Sequence, residues 1–164
     1  MFISAAVQDA INDQIHHEIY SAYLYLAMSA HFEAQSFPGF AAWMRKQYAE
    51  EMEHALKLFD YVNERGGRVV LQAIEQPQVE WGTPLEIFQE VLSHEQKVTA
   101  LIHKLYEVAL AEKDYATQVM LHWFIEEQVE EEDNAGGMVD RLSMVADQKT
   151  GMLQLDHVAG MRGE

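Results

Sequence analysis

Four glutamates, one histidine and one glutamine interrupt otherwise apolar stripes of this sequence. Residues seven apart share a face of a straight helix, drifting only about 20° per heptad. Ile11, Glu18, Tyr25 and Phe32 form one such line; Met44, Glu51 and Leu58 form a second, with His54 three residues beyond Glu51 on the same side. Phe88, Glu95, Ile102 and Ala109 make a third. Leu121, Gln128, Ala135 and Leu142 make a fourth, and Phe124, Glu131, Met138 and Val145 lie beside it. An isolated buried carboxylate costs several kcal/mol unless it is neutralised, paired or bound to metal, and no lysine or arginine shares these stripes. Converging at one depth, the set makes a hard-oxygen site with a single imidazole, which suits two iron or manganese ions better than zinc. The spacing of Glu51-x-x-His54 brings both side chains to one metal centre.

Any one acid taken alone reads first as part of a solvated face, and His54 alone as a hydrogen-bonded core histidine. The same break on every long segment is what favours a metal site. A second acidic feature stands beside it: Glu126, Glu127, Glu130, Glu131, Glu132 and Asp133 fall within eight residues, with no basic residue between Lys113 and Arg141. Like charges four apart repel by a few tenths of a kcal/mol per pair. Glu126, Glu132 and Asp133 read as a solvated face. Glu127 and Glu130 flank the Gln128/Glu131 stripe as Glu50 flanks Glu51, which leaves two readings open for those three, a further cation site or more of the same exposed face.

The elements that must carry these residues are marked by few breakers. Ser4 is the expected N-cap of a first helix to about Gln35, Pro38 opens a second ending at Gly66-Gly67, and Thr83-Pro84-Leu85-Glu86 carries the capping-box pattern of a third running to about Lys113. Asp114 caps a fourth helix to about Ala146, and 149–161 reads as a short amphipathic fifth. Helices of roughly 28 to 32 residues are about 42 to 48 Å long and belong in a bundle. The link from Gly67 to Thr83 has 17 residues and spans about 55 Å when extended, enough to cross the whole bundle. The expected fold is therefore an all-α four-helix bundle with one long crossover between the second and third helices, which makes those two parallel. Gly136-Gly137 inside the fourth helix costs about 1 kcal/mol per glycine relative to alanine and is expected to mark a kink or close helix packing.

Composition narrows the chemistry further. At 164 residues the chain is expected to form one domain over 1–164 with a core that needs no covalent staples. The absence of cysteine excludes disulfides, thiolate metal sites and cysteine nucleophiles. No leader-like or membrane-spanning run is apparent, so a cytoplasmic protein is expected. The formal charge of −16 repels nucleic acid and anionic lipid and attracts cations.

Glu18-Ile19-Tyr20-Ser21, Glu50-Glu51-Met52-Glu53-His54, His94-Glu95-Gln96 and the run from Trp123 to Glu131 make the sequence resemble the non-haem bacterial ferritins of the ferritin-like di-iron superfamily over essentially its whole length. The resemblance implies that Glu18, Glu51, His54 and Glu95 bind two irons at a ferroxidase centre, with Glu51 bridging and Gln128 and Glu131 completing the second iron's side. It implies a third iron at Glu50, Glu127 and Glu130, with Tyr25 and Trp123 beside the centre. By the same resemblance Fe(II) is oxidised by dioxygen, hydrogen peroxide being a second possible oxidant, and ferric mineral is stored in a homo-oligomeric shell of 24 subunits. The fifth helix, with Met152, Leu155 and Val158 on its apolar side, resembles the segment lining the four-fold axis of such shells; His157 reads as an exposed histidine or as one facing that pore. The bacterioferritins share Glu18, Glu51, Met52 and His54 and use the methionine to ligate haem, but their fourth helix carries a second Glu-x-x-His where this chain has Gln128-x-x-Glu131. No haem is expected. A catalytically silent shell protein of the same fold is the other alternative, and it would lack the Glu18, Glu51 and His54 present here.

Overall fold

The structure is a computed structural model and describes residues 2–162, so the two ends of the expected domain lie outside the described residues. It holds α1 (Ala5–Ala34), α2 (Pro38–Glu64), α3 (Pro84–Ala111), α4 (Tyr115–Val145) and the short α5 (Lys149–Gly160). No strand occurs among the described residues. Their ends follow the local chemistry anticipated above. Ser4 accepts from the Val7 N–H at 3.3 Å, and Thr83 and Glu86 form a reciprocal capping box. Helix α2 ends in a Schellman turn, in which Gly67 N–H donates to Val62 and Gly66 N–H to Asn63, with Gly66 at φ +68°. Helices α1 and α3 close with the same pair of bonds, but Ser36 and Lys113 occupy the left-handed position.

The link after α2 runs back along α1. The Asn12 side chain bonds the backbones of Arg68 and Val70 at 3.0 Å each, Asp13 accepts from Gln72 at 2.7 Å, and His16 faces Glu75 at 3.7 Å. Gln78 then reaches Glu90 on α3 at 3.2 Å. The link thus travels in the direction of α1, from its first turns towards its end, and delivers α3 parallel to α2. α1 packs along α2 and α3 along α4, while α5 folds against α2 and α4. The interior is two apolar clusters. One gathers Phe32, Phe40, Trp43 and Phe88 with Met138 and Leu142; the other gathers Ile11, Leu58, Ile102, Leu121 and Phe124. The polar interruptions of the stripes lie between them.

Helix α5 is held by an arrangement that no local pattern displays. Phe37, the residue before α2, has no side-chain oxygen to cap it. Asp156 of α5 serves instead, accepting from the Phe40 N–H at 2.8 Å and placing a buried carboxylate at the positive end of α2. Gly39 permits the approach, because a Cβ there would lie 1.7 Å from the Asp156 carbonyl oxygen. The buried side of α5 is accordingly Asp156 and Ala159 with Met152 and Leu155 partly covered, whereas Val158 is 54% exposed. Asp156 and Ala159 thus fasten the helix to α2 and leave Val158 facing away from the bundle. His157 is exposed.

Of the two alternatives expected at Gly136-Gly137, close packing is not found among the described residues. α4 continues unbroken through both residues, and a Cβ at either would meet nothing within 4 Å. Without a neighbour that needs the space, Gly136→Ala should stabilise the protein by about 1 kcal/mol, read as a raised Tm in calorimetry. A second prediction concerns Asp114, which accepts two 3.0 Å bonds from Arg65 and caps α4 through the Thr117 N–H. Burial pushes its carboxyl up, but the bonds from Arg65 and Thr117 outweigh that and hold it below the ordinary range. A depressed value contributes stability above the unfolded value of about 3.9 and loses it as pH falls through the folded one. Asp114→Asn should therefore cost about 1 kcal/mol at neutral pH, and thermal unfolding of parent and variant should converge below about pH 4.

Candidate metal centre

Each long helix places its stripe-breaking polar residue into the layer between the apolar clusters. Glu18 and Tyr25 come from α1, Glu51 and His54 from α2, Glu95 from α3, and Gln128 and Glu131 from α4; all seven are buried, with Glu18, Glu51 and Glu95 at most 1% exposed. His54 Nδ1 stands 4.0 Å from Glu18 Oε2 and 3.5 Å from Glu51 Oε2. Those two oxygens are buried and have no hydrogen-bond partner among the described residues. The other edge of the ring looks towards Glu127, with Nε2 at 3.9 Å from its Oε2. The histidine therefore stands between two groups able to hold a cation, Glu18/Glu51/His54 and His54/Glu127/Glu131, each with ligand atoms within 4.8 Å of one another. Trp123 and Phe124 meet the imidazole edge-on at 5.3 and 6.0 Å and fix its plane.

A ring of neutral donors orients the remaining carboxylates. Tyr25 donates a hydrogen bond to Glu95 Oε1, and Gln128 donates to Glu95 Oε2 at 3.2 Å and to Thr99 Oγ1 at 3.2 Å. Gln14 donates to Glu18 Oε1 at 2.7 Å and Gln47 to Glu131 Oε2 at 2.7 Å. Gln14 and Gln47 were not singled out from the sequence, although a signal was present: each lies one helical turn before a site glutamate, at 14/18 and 47/51. On the outer side His94 packs edge-on to Tyr25 at 5.9 Å. Its Nε2 is 2.8 Å from the Ser21 hydroxyl, whose proton goes to the His17 carbonyl, so the ring donates. Burial, and then Lys97, lower this histidine to about 4, so it is neutral at pH 7.

The charges in the layer oppose one another. Burial, then repulsion from Glu51, raises Glu18 well above the ordinary carboxyl range. Burial and the Glu95 charge do the same to Glu51. Glu131 is pushed up to about 7 by burial and by Glu95, despite the bond from Gln47. Glu95 is raised by burial and eased by Tyr25 and Gln128, and the Tyr25 hydroxyl is itself held well up by burial beside Glu95. Carboxylates so placed bind protons or multivalent cations, and the donor set of oxygens with one imidazole fits a hard or borderline metal ion.

The three residues expected to form a further cation site are placed differently from one another. Glu127 is half-buried and belongs with His54 and Glu131. Glu50 is half-buried and pairs with Arg162 at 2.9 Å. Glu130 is exposed. Glu126 and Asp133 are exposed as expected, while Glu132 accepts from Thr99 at 2.6 Å.

The chain matches the family model of the ferritin-like domain over residues 8–145. It is 46% identical over 160 residues to a bacterial non-heme ferritin of Bacteroides fragilis, covering 98% of this chain and 99% of that one. A bacterial non-heme ferritin of Staphylococcus aureus is 36% identical, with 98% and 96% covered. Among solved structures, an open-pore ferritin of the archaeon Archaeoglobus fulgidus superposes with a TM-score of 0.96 at 48% identity, covering 98% of this chain and 99% of that one.

Removing one of the orphaned carboxylates tests the electrostatic account. In metal-free protein at pH 7, Glu51→Gln should raise stability by about 1–3 kcal/mol, because the parent must either bury a charge or take up a proton that the unfolded chain does not hold at this pH. The variant should also lose most of the Tm increase that a divalent cation gives the parent. A metal-free variant less stable than the parent would contradict the account.

Proposed function

Since the chain belongs to the ferritin family, we propose that it stores iron and oxidises it at the Glu18/Glu51/His54 layer. The observation that carries the reading is the pair of buried oxygens, Glu18 Oε2 and Glu51 Oε2, to which no neighbouring group of the described residues donates, at 4.0 and 3.5 Å from His54 Nδ1. Buried charge of one sign with no counter-ion is stabilised by the cation it binds. Fe(II) is the substrate: Glu18, Glu51 and His54 hold one ion, and Glu51, Glu95 and Glu131, with Gln128 beside them, hold a second. Each Fe(II) gives up one electron, and dioxygen, or hydrogen peroxide where that is the oxidant, takes them. Fe(III) is then hydrolysed and stored. Hard oxygen ligands favour the ferric product, while singly held carboxylates let it leave.

The chain's own residues set the stage for that exchange. Tyr25 and Gln128 keep Glu95 facing the layer, Gln14 and Gln47 do the same for Glu18 and Glu131, and the Trp123/Phe124 pair holds His54. Storage follows from a 24-subunit shell of this family, to which −16 per chain gives a strongly negative surface that draws in Fe(II). Such a protein is cytoplasmic in this reading; among the described residues no helix is long and apolar enough to cross a membrane. Glu127 lies close enough to His54 and Glu131 to take a further iron leaving the centre.

Anaerobic Fe(II) titration followed by oxygen tests the proposal. The parent should bind about two Fe(II) per chain and oxidise them quickly, and Glu51→Ala and His54→Ala should each slow oxidation at least about a hundredfold. Equal rates in the parent and both variants would leave a passive shell.

A further inference from the structure

The end of the chain places a fixed positive charge against the acids on one flank of the centre. Two residues after α5, Arg162 donates to the Gln47 side-chain oxygen at 2.5 Å and to Glu50 Oε2 at 2.9 Å. Its guanidinium lies 4.5 Å over the Trp43 ring, which adds a cation–π contact. Gln47, held at its oxygen, turns its amide nitrogen to Glu131, so one guanidinium is joined through a single side chain to a carboxylate of the metal layer. Its placement is built into the fold: the Asp156 cap on α2 and the Gly39–Gly160 contact fasten α5 close to the residues Arg162 meets.

We propose that Arg162 is a tethered counter-ion that occupies the Glu50 flank in place of a metal ion and sets Glu131 through Gln47. This rests on the functional reading above and adds to it a control on cation traffic. While Arg162 is docked, Glu50 is neutralised, and a cation beyond the first two must displace the guanidinium before using this carboxylate. The pair is partly exposed, with 19% and 29% of the two side chains accessible, so the contact is strong enough to compete and weak enough to yield. Arg162 acts as a positioning residue: Gln47 without its acceptor contact is free to rotate, and Glu131 loses a donor fixed towards it.

Zn(II), which is redox-inert, is the probe, added to the metal-free assembled protein in isothermal titration calorimetry. Arg162→Gln should leave the tight site at Glu18, Glu51 and His54 in place, weaken the one that uses Glu131, and tighten a third about fivefold. Arg162→Lys, which keeps the charge, should retain the weak third site of the parent, and adding Glu50→Gln to Arg162→Gln should abolish the gain. A third-site affinity within twofold of the parent in Arg162→Gln, or a gain that survives Glu50→Gln, overturns the inference. Failure of the underlying reading is seen separately, as tight Zn(II) binding that Glu51→Ala and His54→Ala do not disturb.

Discussion

Uncompensated negative charge at the centre of the bundle is the constraint on which the rest depends. Glu18, Glu51, Glu95 and Glu131 are brought into one buried layer, and no lysine or arginine enters it. Burial and mutual repulsion raise all four carboxyls above their ordinary range. A bundle optimised for stability alone would fill this layer with aliphatic side chains. Two apolar clusters, one on either side, offset the cost and keep the backbone from relaxing outward.

Neutral donors complete the arrangement. Gln14, Gln47, Tyr25 and Gln128 each satisfy one carboxylate oxygen without cancelling its charge. A lysine in any of these places would neutralise the site and remove its attraction for cations; an alanine would leave the carboxylate free to turn. Amides and a phenol orient the ligands while leaving one oxygen each of Glu18 and Glu51 unsatisfied. At the margin, Arg162 brings a positive charge from the chain's end to Glu50.

Much of this was legible in the sequence because helices are local. Capping at Ser4, Thr83 and Asp114, the Gly66 turn and the heptad lines depend on residues a few positions apart, and the stripe-breaking acids named the layer before any coordinates. The close packing expected at Gly136-Gly137 failed for the complementary reason. A glycine pair signals room or bend, but whether a neighbour uses that room is a property of the surrounding helices, and here no other helix of the described residues comes within 4 Å of where a Cβ would lie. The attachment of the short fifth helix was not legible either, since it is settled by Asp156 at the start of α2 and not by the helix's own weak periodicity.

What the sequence determined by itself was the set of helices, the length of the crossover and the identity of the buried acids, all consequences of backbone periodicity and of the energetic penalty on charge in an apolar stripe. Only the tertiary structure decided which oxygens are left without partners, that His54 stands between two acidic groups, that Asp156 caps a helix 116 positions away, and that Arg162 meets Glu50. Those contacts join residues from different helices. Their distances are set by how the helices pack, and spacing along the chain carries no record of them.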